Sequence, residues 1–241
     1  MDPRPAIVDE RLKGVSRIIL VCSGKGGVGK SLVASLSSLL AAREGLRVGL
    51  LDIDFYGPSC HAILGASSAK TVEDKGLIPP TVAGVKLMSI NFFAEEQPLP
   101  LRGEEITDVL LELLAVTIWD SLDLLFIDSP PGTGEEILDT VKIVKRAEAL
   151  TVTTPSRLSL STVSRLVKLL RELRIPVLGL IENLGRGEDT VRRRAEEWGV
   201  MYLGWLPYYP DLEVVIGYPE KLVETPVAFH LRKALHVAQL I

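Results

Sequence analysis

Short apolar runs alternate along the chain with longer segments whose apolar residues recur at helical spacing. Such runs are typical of strands buried on both faces of a parallel sheet, and the longer segments are typical of helices that cover it. The runs predict strands over residues 17–22, 47–53, 85–90, 122–128, 149–154, 176–182 and 201–206. The longer segments predict helices over residues 31–43, 104–118, 135–146, 158–174, 189–199 and 225–240.

This alternation predicts the fold class α/β, with a single doubly wound, mostly parallel sheet flanked by helices. The chain has 241 residues and shows no internal repeat or linker-like stretch, so we expect one domain over residues 1–241. Within it, we expect residues 1–14 to be a flexible N-terminal extension.

A glycine-rich run follows the first predicted strand and leads into a predicted helix. Its residues are Gly24, Lys25, Gly26, Gly27, Val28, Gly29, Lys30 and Ser31. The run fits the phosphate-loop pattern G-x-x-x-x-G-K-[ST], in which glycines let backbone N–H groups turn toward a phosphate. Lys30 is expected to reach the β and γ oxygens of the phosphates, and the Ser31 hydroxyl is expected to bind Mg²⁺. The N-terminus of the following helix also favours anions. The run therefore predicts a nucleoside triphosphate site.

Lys25 is an addition that the phosphate-loop pattern does not require. Its cation lies on a loop that wraps a triphosphate, from which it could reach the site of a neighbouring subunit. The alternative is a solvated loop lysine, and the loop sequence by itself leaves both interpretations open.

Three acidic residues fall at predicted strand ends, the edge at which open α/β sheets bind ligands. Asp128 ends an apolar strand in a Walker B pattern, where a carboxylate holds Mg²⁺ through its water shell. Asp52 and Asp54 end another strand two positions apart, so both point to the same side and both are candidate metal ligands. One of them is a candidate to orient the attacking water, but the spacing does not decide which. The alternative for one member of the pair is that it only caps a turn and does not bind the metal or the water.

The segment after Asp128 reads Ser-Pro-Pro-Gly-Thr-Gly, in which Gly132 and Gly134 frame a threonine. Such a loop suits contact with a γ-phosphate through backbone N–H groups and a change of shape on hydrolysis. An ordinary turn is the alternative. The position directly after a Walker B strand favours a switch.

Composition limits the partners and the cellular location that we expect for the chain. A net charge of −4 argues against nonspecific coating of nucleic acid, so we expect no nucleic-acid partner. No apolar run approaches the length of a membrane span and the N-terminus lacks a signal peptide's apolar region, so we expect no membrane partner and a cytoplasmic location. The two cysteines, Cys22 and Cys60, are too few for a disulfide framework, and Cys22 is expected in the core.

Together, three motifs resemble those of the Mrp/ApbC family of deviant Walker A ATPases, a group that also contains MinD, ParA and the nitrogenase iron protein. They are the loop at residues 23–31, Asp-x-Asp-x-Tyr-Gly-Pro-Ser at 52–59, and Asp-x-Pro-Pro-Gly-Thr-Gly at 128–134. Weaker similarities, among them Ile-Glu-Asn at 181–183 and Leu-Gly-Trp-Leu-Pro at 203–207, extend the resemblance from about residue 13 to the final helix.

The resemblance implies a homodimeric ATPase that binds ATP and Mg²⁺. Lys25 would be the family's signature lysine and would cross the dimer interface to neutralise phosphate charge in the opposite subunit, as an arginine finger does. Lys30 and Asp54 would complete the catalytic residues. ATP rather than GTP follows from the family, since the sequence has no guanine-specific Asn-Lys-x-Asp run.

The resemblance also implies roles for the other candidate residues. Asp54 would lie in switch I and position the water, with Asp52 close behind it. Switch II would contain Gly132 and Gly134. Asn183 would hydrogen-bond the adenine ring, with Pro207 and its neighbours packing nearby. The metal-binding set would be Ser31, Asp52, Asp54 and Asp128.

The chain departs from this family at the motif that holds a metal cluster. Members that carry iron–sulfur clusters place a Cys-x-x-Cys pair shortly after Glu-Asn, so that two subunits share a cluster through four thiolates. Here Glu182 and Asn183 are followed by residues 184–188 and a predicted helix, without a cysteine. We therefore expect no intrinsic iron–sulfur cluster and interpret Cys60 as a loop thiol without a metal role.

The leading hypothesis is a Mg-ATP-dependent switch ATPase, accessory to iron–sulfur protein maturation, that acts on a client or assembly protein. The alternative is an iron–sulfur cluster carrier or scaffold, which the family favours and the missing cysteines oppose. A further alternative is a spatial organiser like MinD or ParA. The wide apolar stripe of helix 225–240, and the acids that interrupt the basic helix faces, favour packing over membrane or DNA binding.

Overall fold

The computed structural model describes residues 2–93, 103–132 and 134–241. Within these ranges the strands are Val15–Ser23 (β1), Val48–Asp52 (β2), Val72–Glu73 (β3), Leu77–Ile78 (β4), Thr81–Val82 (β5), Val85–Ser89 (β6), Leu122–Asp128 (β7), Ala147–Thr153 (β8), Val177–Gly185 (β9) and Tyr202–Pro207 (β10). The helices are Arg4–Leu12 (α1), Lys30–Arg43 (α2), Cys60–Ile63 (α3), Gly103–Val116 (α4), Glu135–Ile143 (α5), Arg157–Glu172 (α6), Asp189–Glu197 (α7), Leu212–Val215 (α8), Pro219–Leu222 (α9) and Pro226–Val237 (α10). A 3-10 helix covers Ile90–Phe92.

The main sheet has the strand order β10-β9-β8-β1-β7-β2-β6-β5 in the described part of the chain. Neighbouring strands are parallel except β5, which pairs antiparallel with β6 at one edge. The strand order reverses at β1, which lies between β8 and β7. In this register Val21 and Asp52 both lie opposite Asp128. The carboxyl ends of β1, β2 and β7 therefore meet at the switch point, where such sheets bind ligands.

Apolar layers cover both faces of this sheet. On one face, α2 and α10 pack with Leu36, Leu231 and Phe126 in a fully buried cluster. On the other face, α1, α4 and α5 pack in a second cluster that contains Leu114 and Ile127. Because successive residues of a strand point to opposite faces, Phe126 and Ile127 of β7 serve different layers. The sheet is thus buried on both sides, as its continuous apolar strands require.

The predicted elements agree with the structure in type and order. Residues 122–128 coincide with β7, and the other predicted strands and helices overlap their counterparts, with ends that shift by one to three residues. The α/β fold class with a mostly parallel sheet is therefore confirmed. Sequence patterns did not predict β3, β4, β5, α3, α8 and α9 because these elements are too short to show periodicity.

The prediction of a flexible extension over residues 1–14 is wrong. Residues 4–12 form α1, with Pro5 in the first turn, where its missing N–H is harmless. Val8 and Leu12, one helical turn apart, are buried in the second apolar layer. The Arg11 guanidinium donates to the carbonyl of Ala115 at the end of α4. The helix was missed because two buried positions among polar and exposed neighbours give a weak periodic signal.

The C-terminal helix α10 packs into the core, as its apolar stripe predicts. Val227, Leu231 and Leu235 are buried in the first apolar layer. Thr225 caps the helix by accepting a hydrogen bond from the Ala228 N–H at 3.1 Å. In the described residues, no helix combines the length and the apolar character needed to cross a membrane.

Candidate functional site

The phosphate loop connects β1 to α2, and backbone geometry explains its glycines. Gly27 and Gly29 have φ angles of 73° and 82°, in the left-handed region that favours glycine. Gly24 lies against α6, where a Cβ atom would come within 2.4 Å of backbone atoms of Thr162 and Val163. The loop is therefore held between the end of β1, the start of α2 and the backbone of α6.

Lys30, the first residue of α2, is buried and paired with carboxylates. Its Nζ lies 2.6 Å from Asp128 Oδ1 and 3.8 Å from Asp54 Oδ2. Burial lowers the pKa of Lys30, but attraction to Asp128 and Asp54 outweighs this effect and holds the pKa above its usual value. Lys30 therefore carries its positive charge, and it lines a cavity large enough for a nucleotide.

Asp52 is fully buried and organises the turn that follows β2. Its Oδ2 accepts hydrogen bonds from the N–H groups of Ser59 and Cys60, each at 3.0 Å, and its Oδ1 accepts from the Asp54 N–H at 3.2 Å. Burial and the nearby charge of Asp128 raise the pKa of Asp52 to about 7, although the N–H donors oppose the rise. Asp52 thus has the turn-capping role that the sequence left open for one of the two acids.

Asp54 lines the cavity beside the phosphate loop. Its side chain is 14% exposed, and its Oδ1 accepts from the Gly57 N–H at 3.2 Å. The Ser31 hydroxyl lies 3.4 Å from Lys30 Nζ, so it belongs to the same group of side chains. Hydroxyl and carboxylate oxygens from Ser31, Asp54 and Asp128 are the ligands that Mg²⁺ prefers. The residues present therefore fit a Mg²⁺ ion at this edge of the sheet.

The interpretation of Cys60 as a loop thiol is wrong. Cys60 is the first residue of α3 and is fully buried, and its Sγ donates to Asp128 Oδ2 at 3.5 Å. Burial, with the negative charges of Asp52 and Asp128, raises the pKa of the Cys60 thiol well above its usual value. Sequence reasoning missed this position because it depends on how residues 53–59 fold back toward β7. Cys22 is a buried core residue of β1, as expected.

The segment after β7 lies beside the start of the phosphate loop. The Gly132 N–H donates to the carbonyl of Ser23 at 2.9 Å, and Gly132 has a φ of 104°. Gly134 is the N-cap of α5, and Thr133 lies outside the described residues. Gly132 therefore lies next to the start of the phosphate loop, and Gly134 lies at the start of α5.

A cavity of about 600 Å³ has the phosphate loop on one side and residues 207–216 on the other. Asn183, near the end of β9, lines it and donates from Nδ2 to the carbonyl of Val28 at 2.8 Å. Pro207, the last residue of β10, lines it as well. The volume is within the range of small-molecule sites. Asn183 and Pro207 thus share one cavity with Lys30.

Sequence reasoning placed the neighbours of Pro207 near the adenine but did not name the aromatic and aliphatic residues that line this cavity. They follow β10 in the segment after Pro207, and they are Tyr208, Tyr209, Pro210, Leu212 and Ile216. A signal was present, because the predicted strand 201–206 ends at the same carboxyl edge as β1, and segments after such strand ends line ligand sites. These side chains supply the apolar wall that a ring needs for packing.

Lys25 also lines the cavity, and its ammonium group contacts a carbonyl rather than a carboxylate. Its Nζ contacts the carbonyl of Gly26 at 3.3 Å. Among the described residues, no carboxylate oxygen lies within 4.0 Å of this Nζ, in contrast to Lys30. Lys25 is therefore a cation at the mouth of a phosphate site without an acidic partner in that part of the chain.

Comparison with protein families adds an identification to this geometry. The ParA family model, described as the NUBPL iron-transfer P-loop NTPase, matches residues 14–223. The chain belongs to this family. The matched range contains the phosphate loop, the acids at the ends of β2 and β7, and Asn183, so it covers all of the cavity's lining residues except Val227. Membership in the ParA family confirms the resemblance drawn from the motifs.

Curated relatives of this ParA-family chain carry the name iron–sulfur cluster carrier protein. Those from Aquifex aeolicus, Pseudomonas fragi and Pyrococcus horikoshii are 35%, 38% and 34% identical over 91%, 81% and 94% of the chain. The chain spans 67%, 74% and 87% of their lengths, and 64% of the relative from Rickettsia felis. These names agree better with the cluster-carrier alternative than with the accessory ATPase.

Solved structures extend the similarity to the fold. A nucleotide-binding protein from Archaeoglobus fulgidus, in complex with ADP and with cobalt found in it, superposes with a TM-score of 0.81 at 31% identity, over 93% of this chain and 95% of that one. The cell division ATPase MinD from Pyrococcus furiosus superposes with a TM-score of 0.70 at 22% identity, over 93% and 98%. At that identity the MinD match shows the shared fold alone.

The turn after Asn183, which lacks the Cys-x-x-Cys pair of cluster-binding family members, is short and packed. Strand β9 continues through Gly185, beyond its predicted end, and α7 begins at Asp189. A Cβ atom on Gly185 would lie 2.5 Å from Glu182 Oε1, and Glu182 Oε2 accepts from the Tyr202 hydroxyl at 2.8 Å. Residues 184–188 thus close the connection without a cysteine.

Proposed function

We propose that this chain is a homodimeric switch ATPase of the Mrp type that binds and hydrolyses Mg-ATP and serves iron–sulfur protein maturation through a client protein. We further propose that residues 1–241 act as one domain. The observation that carries the proposal is the position of Lys30, held by Asp128 and Asp54 in a cavity lined by the phosphate loop.

Nucleotide binding is proposed to exchange the partners of Lys30. A triphosphate concentrates more negative charge in the cavity than Asp128 does, so Lys30 moves from the carboxylate to the β and γ oxygens. Asp128 is then free to hold water molecules of the metal's hydration shell, while Ser31 supplies a hydroxyl oxygen. Mg²⁺, when bound, neutralises charge that develops on the transferring phosphoryl group.

Asp54 rather than Asp52 is proposed to position the attacking water. Asp52 has both oxygens engaged with backbone N–H groups and is fully buried. Asp54 lines the cavity and retains partial exposure. A carboxylate must lie within hydrogen-bond reach of the water that it orients, which supports the exposed member of the pair.

Lys25 is proposed to act across a dimer interface, since its cation has no acid partner in the described residues and stands at the mouth of the cavity. A second copy of the chain, facing this edge of the sheet, would receive that charge on its own nucleotide. Gly132 and Gly134 are proposed to respond to the γ-phosphate. Asn183 and Pro207 are proposed to hold the adenine against the apolar wall of the cavity.

The test compares wild type, Lys25→Ala and Lys30→Ala in ATP binding, ATP turnover and molecular size with and without ATP. Lys30→Ala is expected to lose nucleotide binding, because the phosphates lose their buried cation. Lys25→Ala is expected to bind ATP but to lose turnover by about 10³-fold, the effect of removing a cation supplied in trans. Lys13→Ala, an exposed lysine outside the cavity, is the control and should keep full activity. Full activity in Lys25→Ala would contradict the cross-subunit role.

A second candidate function is that of an iron–sulfur cluster carrier, which the names of the relatives favour. Both cysteines are buried, one in β1 and one beside Asp128, so neither offers a surface thiolate for a cluster shared between subunits. This arrangement supports the accessory ATPase over the carrier.

Anaerobic reconstitution with iron and sulfide separates the two candidates. An accessory ATPase is expected to remain colourless after desalting. A stable visible chromophore that contains inorganic sulfide as well as iron, and that is retained by wild type and lost in Cys60→Ala, would favour the carrier and would contradict the expectation of no intrinsic cluster.

A further inference from the structure

Three fully buried side chains behind the phosphate loop bring a thiol together with two carboxylates. They are Asp52, Cys60 and Asp128, and their donor atoms all lie within 4.8 Å of one another. Cys60 Sγ lies 3.5 Å from Asp128 Oδ2, and the Cys60 N–H binds Asp52 Oδ2 at 3.0 Å. The turn between β2 and α3 therefore fixes the thiol against both carboxylates before any ligand arrives.

The surroundings neutralise this cluster only in part. In the described part of the chain, Lys30 is the only cation within 4.0 Å of its carboxylates, and Lys30 is shared with Asp54. One ammonium group thus serves both Asp54 and the buried Asp128, and the buried Asp52 has no cation within that distance among the described residues. Buried charges without partners are unfavourable, so a divalent cation would be stabilised here.

We propose that Asp52, Cys60 and Asp128 form a site for one borderline-soft divalent cation, of the class of Fe²⁺, Co²⁺ and Zn²⁺. Thiolate ligands select such ions, whereas Mg²⁺ takes oxygen ligands. As the metal–sulfur bond forms, the Cys60 S–H bond breaks and its proton passes to solvent. The metal keeps its oxidation state, so no oxidant or reductant is needed. This proposal is independent of ATP hydrolysis.

The distances allow the three donors to share one ion after a small contraction. Metal–sulfur and metal–oxygen distances of about 2.3 and 2.1 Å place two donors on one ion at most about 4.4 Å apart. The Cys60–Asp128 contact already meets this limit at 3.5 Å. The remaining pairs of donor atoms lie within 4.8 Å of one another, so any contraction needed to reach this limit is at most about 0.4 Å. Three protein ligands leave a fourth position open, which is typical of exchangeable rather than purely structural metal sites.

The ammonium and the proposed ion use different oxygens of Asp128. Lys30 binds Oδ1, whereas the thiol lies against Oδ2. Lys30, Asp54 and Ser59 line the nucleotide cavity, and Ser59 precedes Cys60 in the chain. An ion would therefore reach the cluster from the nucleotide cavity.

The test uses Co²⁺ alone, added to the full chain under reducing conditions and without nucleotide. Thiolate-bound Co²⁺ absorbs in the near ultraviolet through sulfur-to-metal charge transfer, which oxygen ligands do not produce. We expect a band that saturates at one Co²⁺ per chain and is removed by Zn²⁺ but persists in a large excess of Mg²⁺. Absence of the band in wild type, or its removal by Mg²⁺ as readily as by Zn²⁺, would overturn the proposal.

Cys60→Ser is the central variant, because serine keeps a hydrogen-bond donor toward Asp128 and removes only the sulfur. It is expected to lose the band, whereas Cys22→Ser, which changes the other buried cysteine, keeps it. Asp52→Asn is a second variant that retains the thiol and is expected to weaken Co²⁺ binding at least tenfold. Circular dichroism checks the fold of each variant. A band that survives in Cys60→Ser, or unchanged Co²⁺ affinity in Asp52→Asn, would contradict the site whatever the ATPase assay shows.

Discussion

Lys30 and Asp128 meet at 2.6 Å in a buried position, and Asp54 lies 3.8 Å from the same ammonium. Asp52 belongs to the same group of side chains, but among the described residues no cation lies within 4.0 Å of its carboxylate. Burial and the negative charge of Asp128 therefore outweigh the backbone hydrogen bonds and the more distant charge of Lys30, and the pKa of Asp52 rises to about 7. Asp52 is thus a residue of the site whose charge changes near neutral pH.

We expect the free energy of unfolding of the nucleotide-free and Mg²⁺-free protein to fall as the pH rises from 5 to 8. Folded Asp52 keeps its proton up to about pH 7, whereas an unfolded aspartate releases it at about pH 4. The folded state therefore binds more protons in this interval, and the free energy of unfolding decreases by up to ~2–3 kcal/mol. Asp52→Asn should remove most of this decrease. Urea unfolding at both pH values measures it.

The control for this experiment is Asp74→Asn, because Asp74 is an exposed aspartate outside the site. This variant should show the same pH dependence as wild type. An unchanged pH dependence in Asp52→Asn would mean that a different group takes up the proton.

Much of the residue-level chemistry was predictable from motif spacing. Lys30 and Asp128 follow from the phosphate loop and the Walker B strand, since each pattern fixes a side chain at one end of a regular element. The burial of Cys60 was not predictable, because its position depends on seven irregular residues, 53–59, that turn back toward β7. The separation of Asp52 and Asp54 into a turn cap and a cavity residue has the same cause.

At the scale of elements, Gly24 joins the phosphate loop to α6. A Cβ atom there would lie 2.4 Å from backbone atoms of Thr162 and Val163, which cannot move without shifting the helix. Gly24→Ala is therefore expected to reduce the free energy of unfolding by about 1–3 kcal/mol and to weaken ADP binding. Thermal unfolding and ADP titration measure the two effects.

Gly26→Ala is the matched control in the same loop. A Cβ atom on Gly26 would meet only the Pro131 ring at 3.9 Å, an ordinary van der Waals contact. Its stability should stay within about 0.5 kcal/mol of wild type. Equal losses in the two variants would mean that loop flexibility, rather than contact with α6, explains the glycine.

Element boundaries were predictable where an apolar run is continuous and less so where the chain is irregular. Strand β7 matches its prediction because all its residues from Leu124 to Ile127 are apolar and charged residues flank them. The prediction ended β9 at residue 182 because Asn183 and Gly185 are polar or small, although pairing with β10 continues to Gly185 through an irregular step. At the edge where ligands bind, the apolar run of β9 thus ends before its backbone pairing with the neighbouring strand does.

At the scale of the whole molecule, two apolar layers enclose the sheet, and α1 completes one of them. Val8 is fully buried in this layer, whereas Ile7, its neighbour in sequence, is 41% exposed. Val8→Ala is expected to lower the free energy of unfolding by about 2 kcal/mol, because it leaves a cavity between α1 and α4. Ile7→Ala should change it by less than about 0.5 kcal/mol. Urea unfolding compares the two, and equal effects would contradict the packed position of α1.

The layered architecture was predictable from the alternation of strands and helices, whereas the order of the strands was not. An apolar run indicates that a strand is buried on both faces, but it does not indicate which strands are its neighbours in the sheet. The position of β1 between β8 and β7 becomes visible only in the folded sheet. For the same reason the sequence could propose that Asp52 and Asp128 approach each other but could not give their register.

The hydrogen bond from Asn183 Nδ2 to the carbonyl of Val28 sets the polarity of that amide side chain. A carbonyl only accepts, so the nitrogen end must point to Val28 and the remaining acceptor is the amide oxygen. Adenine carries an amino group at position 6 that can donate to that oxygen, whereas guanine carries a carbonyl at position 6 and would bring two lone pairs together there. If the base lies at Asn183, as proposed, the hydrogen bond between Asn183 and Val28 would select adenine over guanine, although neither of its two atoms contacts the base.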